Sequence, residues 1–445
     1  MSVSKILYGD KLESNPFISS GMETNVNIPG KHKDEKKTLG LTTDLLSKHL
    51  LLLGGTGCGK TNTMYYIIEQ LKSTMSKNDV MIIFDTKGDF YNRFYTERDV
   101  VISNSKQHSD ITKYWNIYRE AAADGWQDED LILNSQEIAY SLFADAIEKT
   151  TNAFFPQAAR DLFASILIQE LRNGSRTDTG LGITPETYRK KLLNNEMLMD
   201  TLNTLSVDSL KATLFSKDLK SVFTYLGDGK NTQGLGVLAE LQNIARQILI
   251  GSFAKQGAFS VRNFVRAKGA RTLFVEYDLS IGSTLAPIYR LIFDLALKEA
   301  MGRAKSEGNV YFIFDEFKLL PNLKHIDDGV NFGRGLGVKV IAGLQSIRQL
   351  QEAYGEDRAN NIISGFSSIF TYRMNDTISQ KYITDLYGEN YTIDEYMTFD
   401  NKIVEKERSG HCVENWDLNN LKTGDAIIGL CGERPFLFHF DQYKK

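Results

Sequence analysis

Short uninterrupted runs of apolar residues recur along the chain, and each ends in small, polar or acidic residues. Such runs are typical of strands that are buried on both faces of a parallel sheet. We predict strands at residues 50–53, 80–84, 272–277, 310–314, 339–343 and 369–373. The pattern therefore predicts an α/β fold with a mostly parallel sheet.

Between the second and third of these runs, apolar residues recur at helical spacing. Phe154, Ala158, Phe163 and Leu167 approximate one helix face, and residues 235–248 contain another helical stretch with Leu235, Leu238, Leu241 and Ile248. We predict that residues 105–260 form an all-helical domain inserted into the sheet domain. The sheet domain then comprises residues 39–104 and 261–445.

The two ends of the chain have different patterns. Residues 1–38 are polar, so we expect little core there, and we interpret the mixed-charge run 31–37 as a solvated loop, with a phosphate contact as the alternative. Near the C-terminus, apolar runs at 426–430 and 436–440 flank a turn at 432–435, which predicts an edge hairpin.

Composition limits the function classes. Of 445 residues, 42% are hydrophobic, and 52 Lys and Arg against 56 Asp and Glu give a net charge of −4. With this charge balance, any contact with nucleic acid must be local, for example a basic pore lining. The longest aliphatic run, 50–53, is far too short for a membrane span. The chain has only three cysteines, which is typical of a protein in a reducing compartment. We expect a cytoplasmic protein.

A phosphate-binding loop follows the first predicted strand and precedes a predicted helix at 62–71. Its residues are Gly54, Gly55, Thr56, Gly57, Cys58, Gly59, Lys60 and Thr61. In this context the glycines let backbone N–H groups surround phosphates, Lys60 bridges the β and γ oxygens, and the Thr61 hydroxyl ligates Mg²⁺. A glycine-rich turn without a ligand is the alternative, and Cys58 is expected to pack rather than react. The loop predicts ATP and Mg²⁺ as cofactors.

A second acidic strand end supplies what hydrolysis needs. The strand at 310–314 delivers Asp315 and Glu316 to the carboxyl edge of the sheet, where ligands of open α/β sheets bind. Asp315 is the candidate Mg²⁺ ligand and Glu316 the candidate for polarising the attacking water, whereas simple helix capping is the alternative. Residues 85–89 follow a similar strand. We expect them to lie near the phosphate site and assist it, and a polar turn with no role in the site is the alternative.

These residues give the chain a resemblance to the type IV coupling proteins, the conjugative DNA-pumping ATPases of the FtsK/HerA superfamily. The resemblance extends over residues 39–440 and depends on the order and spacing of short motifs. They are Leu39-Gly40-Leu41 with His49, Asp85-Thr86-Lys87-Gly88, Trp115-Asn116, Asp315-Glu316-Phe317, Gly333-Arg334-Gly335, Gly343-Leu344-Gln345-Ser346, Gln349-Leu350, Tyr354-Gly355 and Arg373-Met374-Asn375-Asp376. The family usually carries proline where this chain has Thr86.

The resemblance implies roles for further residues. Arg334 corresponds to an arginine that reaches the nucleotide of a neighbouring subunit, with an exposed turn arginine as the alternative. Gln345 corresponds to a glutamine that senses the γ-phosphate, and Arg373 is a weaker candidate. The helical insertion resembles the family's all-alpha domain, and its run Arg189-Lys190-Lys191 is interpreted as a solvated helix face rather than a DNA contact.

The resemblance implies a RecA-like motor that forms a ring, expected to be a homo-hexamer, and pumps DNA. Family members usually begin with transmembrane helices, which this sequence does not show, so docking to a membrane channel would require a partner. Two alternatives stay open. One is an ATP-controlled receptor or scaffold that binds a relaxase or an effector, and the other is a ring ATPase of an antiviral complex with a partner nuclease.

Overall fold

A large mixed sheet organises the residues that this computed structural model describes, which are 3–16, 24–176, 182–227, 232–304, 307–397 and 403–444. The strands are β1 (Val3–Gly9), β2 (Thr24–His32), β3 (Glu35–Thr42), β4 (Leu50–Leu53), β5 (Val80–Asp85), β6 (Val100–Ile102), β7 (Arg271–Glu276), β8 (Val310–Phe314), β9 (Val338–Leu344), β10 (Ser368–Thr371), β11 (Glu389–Met397), β12 (Ile403–His411), β13 (Asp425–Gly429) and β14 (Phe436–Phe440).

Within the described residues, eleven strands pair in the order β3-β2-β14-β13-β10-β4-β9-β8-β5-β7-β6. The strands from β10 to β6 in this order are mutually parallel, and the remaining pairs are antiparallel. The prediction of an α/β fold with a mostly parallel sheet is confirmed. Because parallel strands share one carboxyl edge, the segments after β4, β5, β8, β9 and β10 meet there.

The helices flank this sheet or lie between its strands. They are α1 (Thr43–Ser47), α2 (Lys60–Thr74), α3 (Asp89–Phe94), α4 (Ile117–Ala121), α5 (Asp128–Glu148), α6 (Phe154–Ser175), α7 (Pro185–Lys191), α8 (Asn195–Asn203), α9 (Val207–Thr213), α10 (Thr232–Ile248), α11 (Val261–Ala267), α12 (Gly282–Met301), α13 (Ile326–Asn331), α14 (Ile347–Tyr354), α15 (Glu356–Ser364), α16 (Thr377–Leu386) and α17 (Asn415–Asn420). None of the helices in the described ranges combines the length and the apolar character that a bilayer crossing requires.

The helices α4 to α10 lie between β6 and β7, in the region expected to be helical. Strand β6 is short and was not predicted, so the insertion follows β6 rather than β5. On α6, Ala158, Phe163 and Leu167 are buried as the helical spacing indicates. Helix α10 forms over the predicted helical stretch 235–248, and Leu235 is 54% exposed on it. The boundaries at 105 and 260 stay a prediction.

The N-terminal segment differs from the expectation. The run 31–37 is not a loop, because β2 and β3 form a hairpin that extends the main sheet. Val26 and Ile28 are fully buried, so the segment also contributes core. The hairpin of β13 and β14 forms as predicted, but it is not an edge, since β14 pairs with β2 on its outer side. Strands β1, β11 and β12 form a separate antiparallel sheet.

Candidate nucleotide site

The phosphate loop connects β4 to α2 at the carboxyl edge of the sheet. Gly57 and Gly59 have φ values of 72° and 120°, a backbone conformation that L side chains rarely adopt, which explains glycine at these positions. The Gly54 N–H donates to the Leu344 carbonyl of β9 (3.0 Å), and the Gly55 N–H donates to the Arg373 carbonyl after β10 (2.8 Å). Both neighbouring strands of β4 therefore hold the start of the loop.

Lys60 begins α2, and its ammonium group donates to the carbonyls of Gly54 (2.5 Å) and Gly55 (3.0 Å). Thr56 is exposed and Thr61 is partly exposed, so both hydroxyls lie at the surface of the loop. Cys58 is buried, and burial raises the pKa of its thiol. A buried thiol with a raised pKa is a poor nucleophile, which supports packing as the role of Cys58.

Asp315 and Glu316 follow β8 and lie partly buried at the same edge. Burial raises the pKa of both carboxyl groups, and hydrogen bonds from Thr86 to Asp315 and from Gln345 to Glu316 oppose the rise. The Thr86 hydroxyl donates to Asp315 Oδ2 (2.6 Å). One member of the 85–89 segment thus contacts the predicted site directly.

A hydrogen-bonded chain joins the phosphate loop to the acidic strand end through Gln345. The Thr56 hydroxyl donates to Gln345 Oε1 (3.2 Å), and Gln345 Nε2 donates to Glu316 Oε2 (2.5 Å). The other oxygen of Glu316, Oε1, is buried and has no hydrogen-bond partner among the described residues. A buried carboxylate oxygen without a partner is costly, so it indicates a group that is meant to receive a proton or a water. We call this arrangement the Thr56–Gln345–Glu316 chain.

Arg334 is not brought to the other predicted site residues. It lies in a turn of 3₁₀ helix, Gly333–Leu336, at the amino edge of the sheet, and its guanidinium pairs with Asp44 of α1 (2.9 Å). Strand β9, of seven residues, then runs to the carboxyl edge. At about 3.3 Å per residue this separation is roughly 20 Å, beyond the reach of a side chain.

Asp85 binds the backbone at the start of α3. Its buried carboxylate accepts the N–H groups of Phe90 (3.1 Å) and Tyr91 (2.8 Å), and burial raises its pKa to about 6. Asp85 therefore holds the turn before α3. Arg373 contacts the loop through its carbonyl, whereas its side chain is exposed.

Two regions singled out in the sequence lie in the helical insertion. Trp115 is buried and donates to Glu120 (2.9 Å), and Asn116 binds the carbonyls of Leu193 (2.9 Å) and Gly257 (2.7 Å), so this pair ties helices together. On α7, Lys190 pairs with Glu186 (2.7 Å) at the surface, which supports the interpretation of residues 189–191 as a solvated face.

Two contacts to the loop, from neighbouring residues, were not predicted. The Gly424 N–H donates to the Cys58 carbonyl (3.0 Å), and the Thr423 hydroxyl reaches the Gly57 carbonyl (3.5 Å). These residues precede β13, far along the chain, and match no nucleotide motif. The only local signal was a glycine before a predicted strand, which is too common to indicate a site.

Comparisons with known proteins agree with this geometry. A family model described as the type IV secretion-system coupling protein DNA-binding domain matches residues 35–405. The coupling protein TraD of Escherichia coli (strain K12) is 22% identical over 371 residues, which cover 81% of this chain and 46% of TraD. The chain thus spans about half the length of that relative.

Solved structures of the plasmid coupling protein TrwB share the fold. The complex of TrwB with the non-hydrolysable ATP analogue ADPNP has a TM-score of 0.69 and 19% identity, covering 99% of this chain and 95% of TrwB. The complex with ADP and Mg²⁺ has a TM-score of 0.66 and 19% identity, covering 91% and 88%.

Proposed function

Since this chain belongs to the family of type IV secretion-system coupling proteins, we propose that it is a Mg²⁺-dependent ATPase that couples hydrolysis to the movement of DNA. The observation that carries the proposal is the Thr56–Gln345–Glu316 chain, because it links a phosphate loop to a buried carboxylate oxygen that no described residue contacts by a hydrogen bond. A loop that only bound nucleotide would not need such a link.

The residues of the site fit Mg²⁺-ATP. Gly57 and Gly59 have the positive φ values that let a loop bend around phosphates, and the position of Gly57 is open, with no atom within 4 Å of a Cβ placed there. TrwB, which shares the fold, has been solved with ADP and Mg²⁺. When bound, Mg²⁺ neutralises negative charge on phosphate oxygens.

Each side chain then has a defined task. Lys60 contributes positive charge to the phosphates, while Thr61 and Asp315 are the residues that would hold the metal. Glu316 orients and polarises a water through its free oxygen, and a raised pKa suits it to accept a proton. Gln345 connects Glu316 to Thr56, so that a change at the loop is transmitted to the carboxylate.

Arg334 supports a ring in which each site is completed by a neighbouring subunit. Arg334 lies at the edge of the sheet opposite to the loop of its own chain, and this position supports a role at the nucleotide of another copy rather than its own. We expect a homo-hexamer, in which contacts are head-to-tail and close on themselves.

DNA is the proposed substrate of the motor, as in conjugative transfer. The description of the matching family names a DNA-binding domain, and the coupling protein TraD is a relative. With a net charge of −4, the contact would be confined to a basic lining of a pore and would weaken with salt. The protein would work in the cytoplasm, and a relaxase and a membrane channel would be its further partners.

The test is the rate of ATP hydrolysis with and without DNA. We expect DNA to stimulate the wild type, Lys60→Ala to lose both binding and hydrolysis, and Glu316→Gln to lose hydrolysis while keeping nucleotide binding. A rate that is indifferent to DNA would contradict the motor, and normal turnover by Glu316→Gln would contradict the role of Glu316.

A further inference from the structure

Thr86 is the first residue after β5, and its hydroxyl is buried against the acidic strand end. The side chain of Thr86 is 4% exposed, and its Oγ1 donates a hydrogen bond of 2.6 Å to Asp315 Oδ2. Among the described residues, no hydrogen bond reaches Asp315 Oδ1. The hydroxyl of Thr86 therefore occupies one oxygen of this carboxylate and leaves the other free.

The backbone around Thr86 is held rigidly. The Asp315 N–H donates to the carbonyl of Phe84 (3.3 Å), which fixes the ends of β5 and β8 side by side. On the other side of Thr86, the buried carboxylate of Asp85 accepts N–H groups from the first turn of α3. Because both flanks are anchored, the Thr86 hydroxyl is presented to Asp315 in a fixed orientation.

We propose that Thr86 is a positioning residue for the metal ion, which acts by orienting the Asp315 carboxylate through this hydrogen bond. The inference rests on the proposed function, since it requires Mg²⁺ at Asp315. Partners that orient a ligating carboxylate typically change metal affinity by 10- to 100-fold, although they never touch the metal. A donor on one oxygen fixes the rotation of the carboxylate and favours its ionised form.

Two substitutions separate this role from plain packing. Thr86→Val keeps the shape of the side chain and removes the donor, whereas Thr86→Ser keeps the donor and removes a methyl group. If packing were the only role, serine would be at least as harmful as valine. If the hydroxyl positions Asp315, serine rescues and valine does not.

The measurement is binding of a fluorescent, non-hydrolysable ATP analogue to the full chain, titrated with MgCl₂ and repeated in EDTA. For Thr86→Val we expect the half-saturating Mg²⁺ concentration to rise by about 10-fold or more, with binding in EDTA unchanged. For Thr86→Ser we expect a change of less than about threefold.

The outcomes are distinguishable. If the wild type shows no Mg²⁺-dependent binding, the proposed function fails, and this inference fails with it. If the wild type responds to Mg²⁺ and Thr86→Val responds equally, or if Thr86→Val loses binding to the same extent in EDTA, only the positioning role is overturned. If Thr86→Val does not fold, Thr86→Ala takes its place as the variant without a hydroxyl. Its half-saturating Mg²⁺ concentration is then compared with that of Thr86→Ser.

Discussion

Gln345 joins the phosphate loop to Glu316 by two hydrogen bonds. Replacing it by alanine removes the donor to Glu316 and the acceptor for Thr56, while the loop keeps its own backbone bonds to β9 and β10. We therefore expect Gln345→Ala to lower kcat by about 10-fold or more and to change the Kd for ATP by less than about threefold.

Steady-state hydrolysis and equilibrium nucleotide binding measure these two quantities separately. Gln351→Ala is a matched control, because Gln351 lies on the adjacent helix α14 and its exposed side-chain amide donates to Asn360 (3.4 Å), away from the phosphate loop. Hydrolysis by Gln345→Ala at the wild-type rate would show that the hydrogen-bonded chain has no catalytic role.

Asp294 is a buried acid outside the site, and its ionisation should cost stability. It is 5% exposed on α12, and burial raises its pKa to about 6, although the His325 N–H donates to it (3.1 Å). The folded state thus holds a proton that the unfolded state releases near the ordinary value of 3.8. The protonated Asp294 carboxyl therefore contributes to the free energy of unfolding at low pH. This contribution is lost as the pH rises from about 4 to about 6, and it remains absent at higher pH.

Asparagine cannot ionise and keeps an oxygen for the His325 N–H. We expect Asp294→Asn to match the wild type near pH 4 and to exceed its unfolding free energy by on the order of 1 to 3 kcal/mol at pH 8. Urea unfolding at several pH values checks this, with the exposed Asp328→Asn as the control. A difference that is independent of pH would refute the assignment.

At the scale of elements, the longer parallel strands and the hairpin of β13 and β14 were predicted from the sequence, whereas β6 and the hairpin of β2 and β3 were not. Strands β4, β5, β8 and β9 are buried at every position, and their runs are mainly apolar because both faces of the sheet are covered. In β2, buried positions such as Val26 and Ile28 alternate with less buried ones, and in β3 the buried positions lie together near the end of the strand. Neither strand therefore has the long apolar run by which the parallel strands were predicted.

In the candidate site too, some features could be predicted from the sequence and others could not. The phosphate loop is local in sequence, so its motif could be recognised directly. The Gly424 contact to Cys58 and the Thr86 contact to Asp315 join residues that are hundreds of positions apart. Only the register of the folded sheet brings them together, so no spacing rule could have indicated them.

The hairpin of β2 and β3 is expected to be a structural part of the sheet. A Cβ added to Gly30 would lie 2.1 Å from the His439 carbonyl oxygen and 2.5 Å from the Phe438 ring. Gly30→Ala should therefore cost about 1 to 3 kcal/mol through overpacking against β14. Gly335→Ala is the control, since a Cβ there meets no atom within 4 Å.

Thermal unfolding together with hydrogen exchange of residues 24–42 measures the effect. We expect Gly30→Ala to lower the melting temperature and to increase exchange in both strands, and Gly335→Ala to change neither. Unchanged exchange in the hairpin of Gly30→Ala would mean that its pairing with β14 is not tight.

At the scale of the whole molecule, the phosphate loop and Arg334 lie at opposite edges of the sheet. The carboxyl edge holds the phosphate loop and the Thr56–Gln345–Glu316 chain, and the amino edge presents Arg334 beside the exposed ring of Phe332, which is 71% exposed. Edges that differ in this way are suited to head-to-tail contact between copies, because each copy offers a nucleotide on one side and a guanidinium on the other.

Mixing two inactive variants tests this arrangement. Arg334→Ala keeps an intact phosphate loop, and Lys60→Ala keeps an intact Arg334, so each should be inactive alone. If the arginine acts across an interface, an Arg334→Ala subunit supplies the intact phosphate loop and a neighbouring Lys60→Ala subunit supplies the intact arginine. Together they form a complete site. A complete site needs an intact loop on one subunit and an intact Arg334 on its neighbour, and each is present in about half of the mixed subunits. Random mixing in equal amounts should therefore recover roughly a quarter of the wild-type hydrolysis.

The double variant Lys60→Ala with Arg334→Ala, mixed with Arg334→Ala, is the matched control, because no interface in that mixture contains both groups. Recovery in the first mixture but not in the second would assign Arg334 to the neighbour's site. If neither mixture recovers hydrolysis although the subunits exchange, or if Arg334→Ala alone is fully active, the arginine does not complete a site in another copy. The pair with Asp44 (2.9 Å) would then be its role, as a surface contact that fixes α1 beside the turn before β9.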